Sequence, residues 1–145
     1  MSEALYTRDI LRLAVSIPHQ RRLEGPDGSV EQRSRACGSV VVADVILADD
    51  KSLAQLGLTV NACALGQASA AILGAEAIGR TADDIIQARC GLRDFLDGRA
   101  ESPGSWQNMD KLMVAKDHRG RHGAILLPYD ALIAAFADAA KQRAA

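Results

Sequence analysis

Three cysteines are the side chains of this sequence best suited to chemistry. Cys37 stands in the segment RACGSVVVADV, Cys63 directly precedes a run of small apolar residues, and Cys90 lies inside IIQARCGLRDFL. A thiolate can bind a soft metal ion or carry sulfur, whereas many free thiols are simply small buried hydrophobes. Both roles stay open for Cys37 and Cys63. The mid-helix position of Cys90 favours a buried, structural side chain.

The sequence around each of the first two cysteines suits a reactive or ligating thiol. Gly38 follows Cys37 and allows a sharp turn or a close approach of the backbone to a ligand. Cys63 is expected at a helix N-terminus, where the helix dipole and unpaired N–H groups favour the thiolate. Alternatively, Cys37 could be a small hydrophobe at the start of a strand, and Cys63 a buried helix cap.

Histidines are the other potential metal ligands, and there are three: His19, His118 and His122. A structural zinc site normally has four ligands, which two cysteines and one or two histidines could supply. His118 and His122 are expected in a polar loop before the last helix, where a lone histidine is usually just solvated. Cys37 with His122 could also form a nucleophile–base pair. The sequence has no glycine-rich phosphate loop or nucleophile elbow, so an enzyme is the less favoured alternative.

Length and composition narrow the remaining function classes. The 145 residues predict a single domain spanning 1–145. A net charge of −1 and only 3% aromatic residues disfavour a nucleic-acid partner. The N-terminus is amphipathic without a secretion-signal pattern, and no membrane partner is expected. A cytoplasmic location is therefore expected, and in that reducing compartment the three cysteines are not expected to form a disulfide framework.

Hydrophobic periodicity predicts the elements that must position these residues. Strands are expected over residues 29–36, 38–47 and 52–60, which form an antiparallel meander. Helices are expected over 3–16, over 64–79, from a cap at Thr81 to residue 96, over 109–115, and from Pro128 in a first helical turn to residue 142. Strands followed by helices indicate the α+β class, with helices packed on one face of a three-stranded antiparallel sheet.

Three segments carry a resemblance to a known family. They are RACGS, NACALGQASAAILGAEAIGRTADDI and RHGAILLPYDAL. Together they resemble the iron–sulfur cluster assembly scaffold family, also called the NifU N-terminal domain or IscU-like family. The resemblance extends from about Leu5 to Phe136. The long interval between Cys63 and Ala124 is closest to the SufU-type branch.

The resemblance implies an IscU-like (SufE/NifU) fold and a defined set of ligands. In the family, three cysteines, often with an aspartate, hold a nascent [2Fe–2S] cluster, iron or a zinc ion. Cys37 and Cys63 match the first two cysteines. Ser39 stands where the aspartate is usual, and Ala124 stands where the third cysteine is expected. His122 is the nearest replacement ligand, since Cys90 does not match by position.

The resemblance also implies a function and partners. The chain is expected to be a scaffold or carrier rather than an enzyme, receiving sulfur from a cysteine desulfurase and serving recipient apo-proteins. The LPPVK segment that IscU proteins offer to a chaperone is replaced here by KLMVAKDHRGRH. The alternative is a degenerate paralogue that keeps the fold, holds no cluster and acts as a partner-binding or regulatory module.

Overall fold

The computed structural model describes residues 5–144. Its regular elements are α1 (Arg8–Ala14), β1 (Gly28–Arg33), β2 (Val40–Leu47), β3 (Leu53–Asn61), α2 (Ala64–Glu76), α3 (Ala82–Leu96) and α4 (His122–Ala144). Two short 3-10 helices, Met109–Ala115 and Arg119–Arg121, precede α4. The predicted N-terminal helix is therefore shorter than expected within the described residues, and residues 3 and 4 of that prediction lie outside them.

The three strands form an antiparallel sheet in the order β1-β2-β3. Arg33 pairs with Val40 across the first hairpin, and Val40 pairs with Asn61 on the other side. Valines and alanines of β2 alternate between a buried face and a partly exposed face, as the period of a strand requires. The predicted fold class, α+β with a three-stranded antiparallel sheet, is confirmed.

Helix α4 covers the buried face of the sheet. It packs on β1 and β2, while α2 and α3 pack against α4, and α1 packs against α2. The approach of α4 to β1 is close at Gly28, where a Cβ atom would meet the carbonyl of Ala135 and lie 2.6 Å from the Ala139 nitrogen. Glycine at this position therefore sets the spacing between sheet and helix.

The start of α3 follows its sequence signal closely. The Thr81 side chain accepts a hydrogen bond from the Asp84 nitrogen, and the Asp84 carboxylate accepts one from the Thr81 nitrogen. This reciprocal pair is a capping box, which satisfies two N–H groups at the helix start. The prediction that Thr81 caps a helix is confirmed.

The start of α4 differs from the prediction. The helix begins at His122, so Pro128 lies inside it and not in its first turn. His122 accordingly belongs to the helix and not to a loop. Proline has no N–H, and the carbonyl of Ala124, four residues earlier, receives no helical hydrogen bond from it. The prediction assumed that proline marks the first turn of a helix. Tertiary packing buries Pro128 and the residues around it, so the helix begins six residues earlier.

The C-terminal helical segment is strongly apolar. Within residues 5–144, the segment Arg119–Ala144 is long and apolar enough to cross a membrane by length and composition. However, 61% of its most apolar stretch of 18 residues is buried inside the protein. It therefore packs as the central core helix of the fold.

Candidate functional site

The site predicted from the cysteines lies at one end of the sheet. Cys37 belongs to the turn of residues 34–39, which connects β1 to β2. Cys63 follows the last residue of β3, Asn61, which pairs with Val40 at the beginning of β2. This pairing brings both cysteine-bearing segments to the same sheet end.

The first turn of α4 reaches the same end. A Cβ atom at Gly123 would lie 3.1 Å from the Oγ of Ser34, so α4 contacts the turn that carries Cys37. A Cβ atom at Gly66 would lie 3.2 Å from the Ala124 oxygen and 3.5 Å from its Cβ, so α4 also contacts the first turn of α2. Three segments distant in sequence therefore meet at this end: the 34–39 turn, the start of α2 and the start of α4.

Cys37 is exposed and sits in a tightly held turn. The Gly38 nitrogen donates to the Ser34 oxygen at 2.9 Å, and the Ser34 nitrogen donates to the Ser39 oxygen at 2.8 Å. Gly38 has a φ of 70°, a left-handed conformation that favours glycine. The turn fixes the backbone on both sides of Cys37 while its side chain remains accessible to other molecules.

Two hydroxyl groups and one guanidinium surround the Cys37 thiol. Its Sγ lies 3.3 Å from the Oγ of Ser34 and 3.0 Å from the Oγ of Ser39. The thiol donates to the Ser34 hydroxyl and shares a hydrogen bond with the Ser39 hydroxyl. Partial burial raises the pKa of the thiol, but hydrogen bonding with Ser34 and Ser39 and the positive charge of Arg121 together outweigh it. The pKa of Cys37 is therefore held below its ordinary value, which favours the nucleophilic thiolate.

Cys63 is the N-cap residue of α2, as the sequence predicts. Its backbone is extended, and its carbonyl accepts the first helical hydrogen bond, from the Gln67 nitrogen at 2.9 Å. The thiol makes no capping hydrogen bond and is half-buried. The Cys63 side chain packs against the hydrophobic core, and its sulfur is not engaged in a hydrogen bond at the helix start.

His122 is held by backbone carbonyls. Its Nε2 lies 2.9 Å from the oxygens of both Ala115 and Lys116. Carbonyl oxygens only accept, so Nε2 carries a proton and donates to them, which leaves Nδ1 as the only ring atom able to bind a metal. The histidine lies in the same segment that contacts the Cys37 turn, but one of its two nitrogens is already engaged.

The donor atoms at this end do not complete a metal site. Within residues 5–144, no three side chains of His, Cys, Asp or Glu lie together in a way that could hold a metal ion. Ser39 is 4% exposed and Ala124 is 1% exposed, so a hydroxyl and a methyl group fill the two other positions at which the resemblance implies ligands. A tetrahedral zinc ion or a [2Fe–2S] cluster needs four such donors, and these residues do not fit that requirement.

The prediction that Cys90 is buried is wrong. Cys90 lies in α3 as expected, but its side chain is exposed. The buried face of α3 is formed by Ile85, Leu92, Phe95 and Leu96. A helix turns by 100° per residue. Cys90 follows Ile85 by five residues, so it lies about 140° round the helix axis from Ile85 and away from the buried face.

Sequence reasoning missed two members of the site, Ser34 and Arg121. Ser34 precedes Cys37 by three residues in a turn, a local spacing that could have indicated a hydroxyl next to the thiol. Arg121 acts on Cys37 from a segment far along the chain. No short sequence pattern predicts that Arg121 lies near Cys37.

Comparison with known proteins adds evidence from structure. No family model matches the sequence, and no curated protein matches it. The fold matches a nitrogen-fixing NifU-like protein (N-terminal) from Brucella abortus with a TM-score of 0.83 and 27% sequence identity. That match covers 94% of this chain and 95% of the other. The chain is therefore similar to this NifU-like domain over nearly its whole length.

Further solved structures share the fold. The chain also matches a protein from Fervidobacterium islandicum, assigned as an iron–sulfur cluster assembly scaffold for the SUF system, with a TM-score of 0.82. The identity is 18%, with 91% of this chain and 96% of the other covered. A hypothetical protein matches with a TM-score of 0.71 and 18% identity, with 92% and 97% covered. The family resemblance inferred from the sequence motifs is confirmed.

Proposed function

We propose that this NifU-like chain serves iron–sulfur cluster assembly as a sulfur acceptor, with Cys37 taking sulfur from a cysteine desulfurase. The process is supported by the NifU-like and SUF-system proteins that share its fold. The single observation that carries the specific role is the environment of Cys37. It is an exposed thiol on a hydrogen-bonded turn, with two hydroxyls within 3.3 Å of its sulfur.

The proposed reaction needs no group beyond the two proteins. The Cys37 thiolate attacks the terminal sulfur of the protonated persulfide on the desulfurase. The donor S–S bond breaks, a new S–S bond forms on Cys37, and the donor cysteine leaves as its thiolate. The terminal sulfur keeps its proton during the transfer, so atoms and electrons balance without an oxidant or a reductant.

Ser34 and Ser39 have a defined role in this reaction. Their hydroxyls can donate hydrogen bonds to the Cys37 sulfur while it is an anion, which stabilises the attacking thiolate. Ser39 is buried, so its hydroxyl is fixed relative to the turn. An aspartate at this position would instead place a negative charge beside the thiolate and disfavour it.

Sulfur acceptance fits the donor set better than autonomous cluster assembly. Cys37 and Cys63 supply two thiols, and His122 offers one ring nitrogen, Nδ1, while its other nitrogen is bonded to carbonyls. The two thiols do not make up the four protein ligands of a [2Fe–2S] cluster. Iron, cluster or zinc binding through Cys37, Cys63 and His122 therefore remains a prediction for direct measurement.

A second candidate function is that of a partner-binding module without sulfur chemistry. It is favoured by one observation: Ala124 and Ser39 are both well buried and fill the two positions where the resemblance implies ligands. A chain of this kind would keep the docking surface of a NifU-like protein and act by occupying a desulfurase. It predicts binding that does not depend on Cys37.

The test is transfer of sulfur from radiolabelled cysteine. A SUF-type cysteine desulfurase is loaded with the label, mixed with the chain and analysed on a non-reducing gel, and the labelled residue is located by mass spectrometry after alkylation. We expect label on Cys37, lost in Cys37→Ser and retained in Cys90→Ser, which serves as the matched thiol control.

The outcomes separate the two candidates. Label that persists in Cys37→Ser but disappears in Cys63→Ser would move the acceptor to Cys63. Desulfurase binding without any transfer of label would reject sulfur acceptance and support the partner-binding module.

A further inference from the structure

The end of the molecule that carries Cys37 is strongly cationic. Residues 31–37 and 116–122 contain five lysines and arginines but only two acidic residues, Glu31 and Asp117. Arg33 is paired with Glu31 at 3.1 Å. Within residues 5–144, Arg35, Arg119 and Arg121 have no ion-pair partner. We call these three residues the arginine collar.

The collar is placed around the thiol by the fold. Arg35 lies two residues before Cys37 in the same exposed turn. Arg121 lies close enough to Cys37 for its charge to act on the sulfur. Arg119 is exposed and belongs to the same short 3-10 helix as Arg121. The three cationic side chains therefore lie on the turn that carries Cys37 and on the segment that leads into the start of α4, which contacts that turn.

The opposite end of the sheet carries charges of both signs, with Lys51 in the β2–β3 turn and Arg143 paired with Asp27. Asp49 and Asp50 lie in the β2–β3 turn, and Asp83 and Asp84 lie in the first turn of α3. The Leu53 nitrogen bonds to the Arg80 oxygen at 2.8 Å, which brings the start of α3 to this turn. Carboxylates and cations are interspersed at this end, whereas the end that carries Cys37 has an excess of positive charge, which orients an approaching partner.

Arginines on other surfaces mostly have carboxylate partners. Arg89 is paired with Asp130 at 2.9 Å, and Arg93 with Asp97 at 3.0 Å. The collar arginines differ in having none, although the planar guanidinium is well suited to two-pronged contact with a carboxylate. A carboxylate from another protein can fill this role.

We infer that the arginine collar is a docking surface for an acidic protein surface, and that it selects a sulfur donor whose persulfide is flanked by carboxylates. This inference rests on the proposed sulfur-acceptor function. Opposite charges around the two sulfurs raise the rate of encounter and fix the orientation in which Cys37 meets the donor.

The first experiment measures the charge preference at Cys37 without any partner. A variant with Cys63→Ser and Cys90→Ser leaves Cys37 as the only thiol, and one with Cys37→Ser and Cys63→Ser leaves Cys90. Each reacts with two methanethiosulfonate reagents of similar size, one anionic (sulfonatoethyl) and one cationic (trimethylammonioethyl). We expect the ratio of anionic to cationic rates to be about 10-fold higher at Cys37 than at Cys90 in low salt.

The collar is then removed by Arg35→Gln, Arg119→Gln and Arg121→Gln together. We expect the ratio at Cys37 to fall to within about twofold of the ratio at Cys90, and salt of about 0.3 M to have the same effect. Because the three side chains are on the surface or half-buried, the variant is checked for native folding by circular dichroism. Two results would overturn the inference. The first is a ratio at Cys37 equal to that at Cys90 while the three arginines are present, and the second is a ratio at Cys37 that does not fall when they are replaced.

The second experiment uses the SUF-type desulfurase loaded with radiolabelled cysteine. The rate of label transfer is expected to drop about 10-fold in the triple variant and with rising salt, and to be unchanged in the matched control Lys141→Gln, which lies near the far end of α4. Transfer that is insensitive to both changes overturns the collar as a docking surface while leaving sulfur acceptance intact. A charge preference at Cys37 without any transfer leaves the cationic surface but rejects the proposed function.

A nucleic-acid partner is the competing explanation for a cationic surface. Binding of the unmodified chain to a fluorescent single-stranded DNA, lost in the triple variant, would assign the collar to nucleic acid and overturn the inference. We expect no such binding in about 0.15 M salt, since three arginines neutralise few phosphates.

Discussion

The sulfur of Cys37 lies 3.0 Å from the hydroxyl oxygen of Ser39, two residues further along the same turn. Ser39 occupies the position at which the family resemblance implies an aspartate. A hydroxyl can donate to a thiolate, whereas a carboxylate can only accept and adds a second negative charge. This one contact favours a nucleophilic thiol over a shared metal ligand.

Restoring the two missing ligands should restore metal binding. The double variant Ser39→Asp with Ala124→Cys supplies the carboxylate and the third thiol at the end where Cys37 and Cys63 already lie. We expect about one zinc per chain in the double variant and far less in the unmodified protein, because three thiolates and a carboxylate form a four-ligand zinc site. Elemental analysis of protein purified without chelator measures this, before and after anaerobic reconstitution with iron and sulfide.

A matched control tests the position of the added thiol. Ala131 is a fully buried alanine of the same helix, and Ala131→Cys adds the same sulfur elsewhere. It should not raise the metal content. If the unmodified chain already holds about one metal ion, lost in Cys37→Ala and in His122→Ala, the conclusion that its donors are insufficient is wrong, and His122 is the substitute ligand.

The alkylation rate of Cys37 should report its two hydroxyl partners. The pKa of Cys37 is below its ordinary value, so its reaction with iodoacetamide should reach half its maximum at a lower pH than that of an ordinary thiol. Ser34→Ala and Ser39→Ala each remove a hydrogen bond from the thiolate. We expect each to move the midpoint to higher pH, with a larger movement when both are changed.

This profile is measured with Cys37 as the only thiol, by mass spectrometry over time. Ser52→Ala, which removes a hydroxyl at the other end of the sheet, is the control and should leave the midpoint unchanged. A midpoint that stays in place when both Ser34 and Ser39 are replaced would contradict the role assigned to the two hydroxyls.

The buried carboxylate of Asp44 should make stability depend on acid pH. Burial raises its pKa, but the guanidinium of Arg22, the hydroxyl of Ser29 and the Leu23 N–H group outweigh it, so the pKa lies below its ordinary value. Its contribution to stability is then complete above the unfolded-state pKa of about 3.9 and is lost as the pH falls through the lower folded-state value. Urea unfolding between about pH 2 and pH 6 should show this loss.

Asp44→Asn should remove that part of the pH dependence. We expect a loss of about 2 kcal/mol of unfolding free energy near neutral pH, at the low end for a buried pair because Arg22 is 61% exposed. The exposed Asp117→Asn serves as control and should change stability by less than about 0.5 kcal/mol. Equal pH profiles for the unmodified chain and Asp44→Asn would show that Asp44 does not supply the slope.

Two glycines should respond to alanine with opposite signs. At Gly28 the new methyl group would collide with the backbone of α4 at Ala135 and Ala139, which cannot move without separating the sheet from its core helix. We expect a loss of at least about 2 kcal/mol. At Gly91, in the interior of α3, no atom lies within 4 Å of the new methyl group, and helix propensity should add about 0.5–1 kcal/mol. Thermal and urea unfolding of the two variants would measure both, and a Gly28→Ala variant of unchanged stability would contradict the tight contact.

Local sequence was sufficient for much of the fold. The valine-rich segment of β2, the Thr81 cap and the small apolar run of α2 each carry their own signal, because strand period, capping and helix propensity act over a few residues. The same local information placed Cys63 at a helix N-terminus and Cys37 at a strand junction. The motifs around these cysteines also indicated the NifU-like resemblance that the solved structures confirm.

The start of α4 and the surroundings of Cys90 depended on contacts distant in sequence. Pro128 by itself predicts a helix start, yet α4 begins at His122 because the sheet and α2 bury this segment. Its residue type predicts that Cys90 is buried, but the face of α3 that packs on its neighbours is formed by Ile85, Leu92 and Phe95.

The sequence by itself determined which chemical groups this protein has: two thiols near element boundaries, and a serine and an alanine at the positions where further ligands are implied. Only the tertiary structure decided which groups meet. The pairing of β2 with β3 and the packing of α4 against the 34–39 turn bring Arg121 to Cys37, and the backbone around Ala115 engages one nitrogen of His122. These relationships join residues far apart in the chain, so they follow from packing, for which no short sequence pattern exists.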